Sequence, residues 1–350
     1  MSFQPDYRNI VDVAWNRVPA RLPLYEHLFD LPAIERVLGV DMTGLYTQDK
    51  DAFFREFCRF FFEMGFDTVS YECGIPIPSI LPGCGALGAH RKGVIQTRED
   101  FENYPWDQIE ERYFAHYAPD WDALRKHMPE GMMAVGGVGN GIFECVQDLT
   151  GYIDLCYMRE DDPELYADLF AKMCEVHLSL WKRFLREYGD MYCVCRFGDD
   201  LGFKSSTLLH PDDLRRHVIP GYRSIIEQAH RTGKPFLIHS CGNIFDIMED
   251  LIDAGMNAKH SNEDQIAPFC HWVERYGDRI SFFGGIDADA LCRLSLEEIT
   301  AYVTDVIEAC EGRAFAFGSG NSIAHYVPTE KYLHMVRLVR TLRGEDLSAL

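Results

Sequence analysis

One unit repeats along this chain and limits what it can fold into: an amphipathic helix, a glycine, then a short β-branched or aromatic strand. Residues 51–65, DAFFREFCRFFFEMG, are the clearest instance. Phe53, Phe57, Phe60, Phe61 and Met64 fall on one helical stripe, and Gly65 can supply a left-handed cap. DTVSYE (67–72) follows as a buried strand. Pro163 opens a helix over 163–188 that ends before Gly189, and MYCVCRF (191–197) follows. Pro211 opens another over 211–232, then Gly233 and PFLIHS (235–240). The pattern continues with helix 243–255 and strand 256–261, helix 267–277 and strand 279–286, and helix 295–312 and strand 313–320. A last helix spans 332–344.

Strands alternating with helices read as parallel βα units. With a strand at 132–137 and an eighth at 20–26, around RLPLYEH, the count predicts an α/β fold of the (β/α)8 TIM-barrel kind. A doubly wound open sheet competes with it. The reading is one domain over 1–350, with 1–66 an N-terminal helical extension that holds the candidate first strand. Segment 73–131 is too long for an ordinary βα loop and is read as an insertion over the barrel mouth. Its Tyr104, Trp106, Tyr113, Tyr117 and Trp121 can line a cavity or simply pack.

Charge narrows the function. Against 55 Asp+Glu stand 34 Lys+Arg, a net charge of −21. Nucleic acid needs a basic face, and anionic lipid is repelled, so neither is an expected partner. The start MSFQPDYRNIVDVAWNRV lacks an apolar signal core, and no window reaches the roughly 18 apolar residues of a membrane span. A cytoplasmic location is the expectation. The twelve cysteines form no CxxC pair, so free, mostly buried thiols are expected.

In a barrel of this kind, chemistry sits where strands end. Those positions hold Tyr71, Glu72 and Cys73; Gly137 and Asn140; Arg196, Asp199 and Asp200; His239 and Cys241; His260, Ser261 and Asn262; Asp287; Ser319 and Asn321. His239-Ser240-Cys241-Gly242 stands out, because an imidazole and a thiolate two residues apart can turn to one centre, and zinc takes such ligands.

Residues FGDDLGFKSSTLLHPDDLRRHVIPGYRSIIEQAH, with KPFLIHSCGNIFDIMEDLIDAGMNA, ISFFGGIDADAL and FAFGSGNSI beyond them, resemble the uroporphyrinogen decarboxylase superfamily over 190–345. That superfamily consists of single (β/α)8 barrels in two arms, the decarboxylases and the zinc-dependent corrinoid methyltransferases. The methyltransferase arm carries H-x-C-G-N, present here as His239, Cys241, Gly242 and Asn243. The arginine-rich RQAGR segment of the decarboxylases is missing. Arg17 and Arg21 alone stand in the comparable stretch, and Glu72 stands where decarboxylases have an aspartate.

The resemblance therefore implies a methyltransferase that moves a methyl group between a small methylated substrate or thiol and a corrinoid (cobalamin) on a separate corrinoid-binding protein. Uroporphyrinogen decarboxylation and a non-catalytic binding barrel are the alternatives, and a homodimer is compatible with either arm. The family's third zinc ligand, a cysteine in a G-C-G context, is Ser319 here. His260 is expected to replace it, giving Zn2+ on His239, Cys241 and His260, with Cys73 a weaker candidate. Asp199 and Glu72 are the acids expected to act at the centre. Arg196, Asn262, Asp287, Ser319 and Asn321 are expected to bind substrate. Fewer thiolates make a harder metal site, which tilts the reading toward O-demethylation.

Overall fold

The computed structural model describes residues 3–83 and 91–347. Seven strands form one sheet in sequential order, every pair parallel: β1 (Thr68–Gly74), β2 (Met133–Gly139), β3 (Tyr192–Gly198), β4 (Phe236–His239), β5 (Ala258–His260), β6 (Ser281–Ile286) and β7 (Phe315–Ser319). Seven of the eight expected strands are present within a few residues. Helices fill the connections, so the architecture is α/β and TIM-barrel-like.

The segment expected to be the eighth strand makes one bridge, Leu24 to Phe317, instead of a ladder. Phe317 N–H donates to the Pro23 carbonyl and Tyr25 N–H to the Phe317 carbonyl, both at 2.9 Å. Pro19 and Pro23 have no N–H to donate, which limits pairing along this segment. On its other side, the His27 carbonyl accepts from Ser70 Oγ of β1 at 2.6 Å. The segment is thus bonded to both edge strands of the sheet.

Local chemistry explains the helices. In Lys50–Met64, Asp49 caps the start by accepting from Ala52 N–H, and Gly65 ends it with φ 85°. Its buried stripe is wider than expected and includes Phe54, whose ring lies 5.1 Å from that of Tyr71 on β1. The expected helix 211–232 is interrupted. Pro211–Asp213 passes through a π-turn at Leu214–Val218 before Ile219–Arg231. Pro220 has no N–H to give to residue 216, and the wider turn absorbs that loss.

The barrel floor is apolar. Ile10, Val13 and Ala14, from helix Arg8–Ala14, cluster with Val135, Val194, Leu237, Ala258, Phe283 and Ala316 from the strands. Polar groups therefore gather at the other end, where the strands finish. Much of 73–131 is the crossover after β1. Helix Ile109–His127 lies against helix Lys50–Met64, with Tyr113, Tyr117 and Trp121 buried. The Tyr113 and Tyr117 hydroxyls donate to the Cys73 and Gly74 carbonyls at 2.8 Å and so pin the end of β1. These aromatics pack. Tyr104 and Trp106 pack on each other nearby in a tilted pair, 4.5 Å between centroids. No described helix is long and apolar enough to cross a membrane. The described cysteines are all free; Cys84 lies outside the described residues.

Candidate metal centre

His239 is the last residue of β4, and His260 the last of β5, directly opposite it in register. The two Nδ1 atoms are 2.6 Å apart. That is a hydrogen-bond separation, too short for two ligands of one ion. His260 Nε2 lies 3.0 Å from the Ser319 carbonyl. A carbonyl only accepts, so His260 carries its proton on Nε2. Burial holds the pKa of His239 well below the ordinary value and that of His260 at about 3, so both rings are neutral, with one proton each. His260 Nδ1 is then an acceptor, and the shared proton belongs to His239 Nδ1. The lone pair of His239 Nε2 is left free.

That lone pair faces Cys241 Sγ at 3.4 Å and Asp200 Oδ1 at 3.6 Å. The three donor atoms lie within 4.8 Å of one another. Zinc bonds of about 2.0–2.3 Å in a tetrahedron place neighbouring ligands roughly 3.3–3.8 Å apart. Both distances from His239 Nε2 fit that ion. The backbone fixes the arrangement: Cys241 N–H donates to Asp200 Oδ1 at 2.9 Å. Gly242 follows with φ 83°, and a Cβ there would meet Gly202 main-chain atoms at 2.1–2.2 Å. Burial pushes the Cys241 thiol up, and the Asp200 carboxylate adds to this. Asn321 Nδ2 donates to Sγ at 3.4 Å.

His27 was not singled out in the sequence. Its ring stacks on His239 at 3.8 Å, 7° from parallel, and is almost fully buried. Its position at the end of RLPLYEH was the available signal. Strand parity carried the signal for Asp200: Arg196, Gly198 and Asp200 alternate to one side, and Asp199 to the other.

Asp199 does not meet the centre. It caps helix Ile142–Thr150, accepting from Phe143 and Glu144 N–H at 2.9 Å and from the Tyr222 hydroxyl. Asp199→Asn would turn an amide N–H2 toward one of these donors. We expect it to cost about 1–3 kcal/mol, read as a lower urea midpoint, with metal content unchanged. Glu144, beside it, has its carboxyl pushed well up by burial and by Asp199 and Asp200.

Glu72 and Arg196 pair with each other. Arg196 is fully buried and donates from Nε to Glu72 at 2.8 Å. From Nη1 it donates to Tyr25 Oη (2.9 Å), the His27 carbonyl (3.0 Å) and Ser70 Oγ (2.6 Å). Only Nη2 has no protein acceptor. Asp287 caps helix Ala288–Arg293 and also accepts from Asp264 N–H at 2.7 Å. Asn262 pairs with the Gly285 main chain through both ends of its amide. Even so, Asn262, Asp287 and Asn321 share a polar cavity of about 250 Å³ with Lys204 and Glu263. Ser319 Oγ is hydrogen-bonded to Glu26, another residue that sequence reading passed over. Arg21 pairs with Asp67, just before β1, so it lies at the far end of the barrel from the centre.

A TIM-barrel-like α/β protein with an N,S,O donor set at the strand ends is the class that fold and site define. The uroporphyrinogen decarboxylase (URO-D) family model matches residues 63–342, and the chain belongs to that family. No curated protein matches the chain. Among solved structures, a methyltransferase from Methanosarcina mazei is similar at TM-score 0.73 and 15% identity, over 96% of this chain and 98% of that one. A putative vitamin-B12 independent methionine synthase from Listeria monocytogenes is similar at TM-score 0.51 and 12% identity, over 93% and 100%. At these identities the likeness is one of fold.

Proposed function

We propose that this chain is a zinc-dependent methyltransferase that moves a methyl group between a small methylated substrate or thiol and a corrinoid on a partner protein, in the O-demethylase sense. One observation carries the reading: the free lone pair of His239 Nε2 converges with Cys241 Sγ and Asp200 Oδ1. Asp200 takes the place foreseen for His260, whose two nitrogens are already used. Bound there, zinc would supply a Lewis acid for an ether or thiol group.

The protein's own residues do the rest. The Ser319 carbonyl and His260 hold the His239 tautomer, and Asn321 steadies the sulfur. The polar cavity beside Asn321 is the place for the substrate, and the mouth is the docking face for the corrinoid protein. Two thiolates would suit a soft centre; one thiolate, one imidazole and one carboxylate suit an oxygen leaving group better. The family's name points to decarboxylation of a polyanion, but Arg196 is engaged by Glu72 and Arg21 by Asp67.

The test is metal content with methyl transfer. Protein from zinc-replete cells should hold about one zinc per chain and should methylate cob(I)alamin from a methyl ether. Zinc far below that, unaltered by Cys241→Ala, would sink the reading. Formation of coproporphyrinogen from uroporphyrinogen would replace it.

A further inference from the structure

Glu26 sits outside the donor set, 1% exposed, between β7 and helix Thr329–Leu342. Its Oε1 accepts from Ser319 N–H at 3.1 Å, and its Oε2 is hydrogen-bonded to Ser319 Oγ. The same Oγ is bonded to the Asn321 carbonyl. A hydroxyl has one proton, and a carbonyl can only accept. The Ser319 proton therefore goes to Asn321, and Glu26 must bring the proton that lies between Oε2 and Oγ.

We propose that Glu26 is an un-ionised carboxylic acid whose proton locks the Ser319–Asn321 turn, making it a positioning residue for His239 and Cys241. The turn reaches the centre by two arms. The Ser319 carbonyl accepts from His260 Nε2–H, which fixes His239, and Asn321 Nδ2 donates to the sulfur. Gly320 anchors the turn between its N–H bond to Ile286 (2.6 Å) and its carbonyl's bond to Asn262 N–H (3.0 Å).

The groups facing Glu26 are neutral: the Ser319 and Tyr332 hydroxyls, and Tyr25 from its own segment. Burial moves its pKa from an ordinary 4.5 to about 8. The folded chain thus keeps a proton that the unfolded chain releases. Its contribution to stability is full below 4.5 and is lost as pH rises to about 8. Glu26→Gln keeps both hydrogen bonds without the proton, and should flatten that slope in Tm.

This inference rests on the reading of His239 and Cys241 as one centre, so the experiment is done on metal-stripped protein. Infrared difference spectra near neutral pH, wild type against Glu26→Gln, should show loss of a neutral carboxylic-acid carbonyl band. In 15N-histidine NMR, His239 should carry its proton on Nδ1 in wild type and in Glu26→Gln. Glu26→Ala should give mixed tautomers. If Glu26→Ala does not fold, raising the pH one unit above the value for Glu26 should mix the wild-type tautomers and spare Glu26→Gln. A carboxylate band near neutral pH, or a His239 tautomer indifferent to both changes, would overturn the proposal. A wild type that takes no zinc would instead overturn the metal reading and leave this one standing.

Discussion

Asp200→Ala is expected to lose zinc as completely as His239→Ala and Cys241→Ala, at least 100-fold in affinity by chelator competition (about 2.8 kcal/mol, at 1.4 kcal/mol per tenfold). His260→Ala should cost less, about 10–100-fold, because it removes a partner behind a ligand and not a ligand. The order of the two losses separates the two roles. Were His260 the third ligand, its removal would cost the most and Asp200→Ala would be mild. Cobalt(II) substitution gives a second readout. The thiolate-to-cobalt absorption should vanish in Cys241→Ala, and should persist with altered intensity in His260→Ala. Asp199→Ala should leave affinity and spectrum alone, since its carboxylate is spent on two helix N–H groups and Tyr222.

The contrast between Asp199 and Asp200 shows where sequence reading stops. Periodicity located every strand, and strand ends located the polar set, because both follow from which faces must be buried. His239 and Cys241 were legible from spacing. Which of two adjacent acids turns inward depends on parity carried past the last paired residue, Gly198. Partners from distant segments were not legible at all. His27 and Glu26 come from a segment that pairs through one bridge, and its prolines weakened the strand signal. His260 sat in the right place, but its role depended on a proton count. Only the Ser319 carbonyl and the 2.6 Å contact with His239 could supply that count. The wide aromatic segment failed as a cavity for a simpler reason. Tyr113, Tyr117 and Trp121 are spaced to face one way on a helix, and that face is buried, Trp121 against Phe184 and Tyr188 and the two tyrosines on the end of β1.

Arg196→Met should be among the most destabilising single changes in the protein. The guanidinium is fully buried, and its loss leaves Glu72, with a side chain 8% exposed, as a buried carboxylate without its cation. Breaking one side of such a pair costs about 3–5 kcal/mol, against a total of roughly 5–15 kcal/mol for a folded domain. A urea melt should show most of the stability gone. Arg196→Met/Glu72→Gln removes the unpaired charge, and should recover part of the loss. What it should not recover is the histidine layer. Arg196 also holds the His27 carbonyl at 3.0 Å, and His27 is the ring stacked on His239. The double variant should therefore be folded but bind zinc less tightly than wild type, which places a structural charge pair two residues below the centre among the things that shape it.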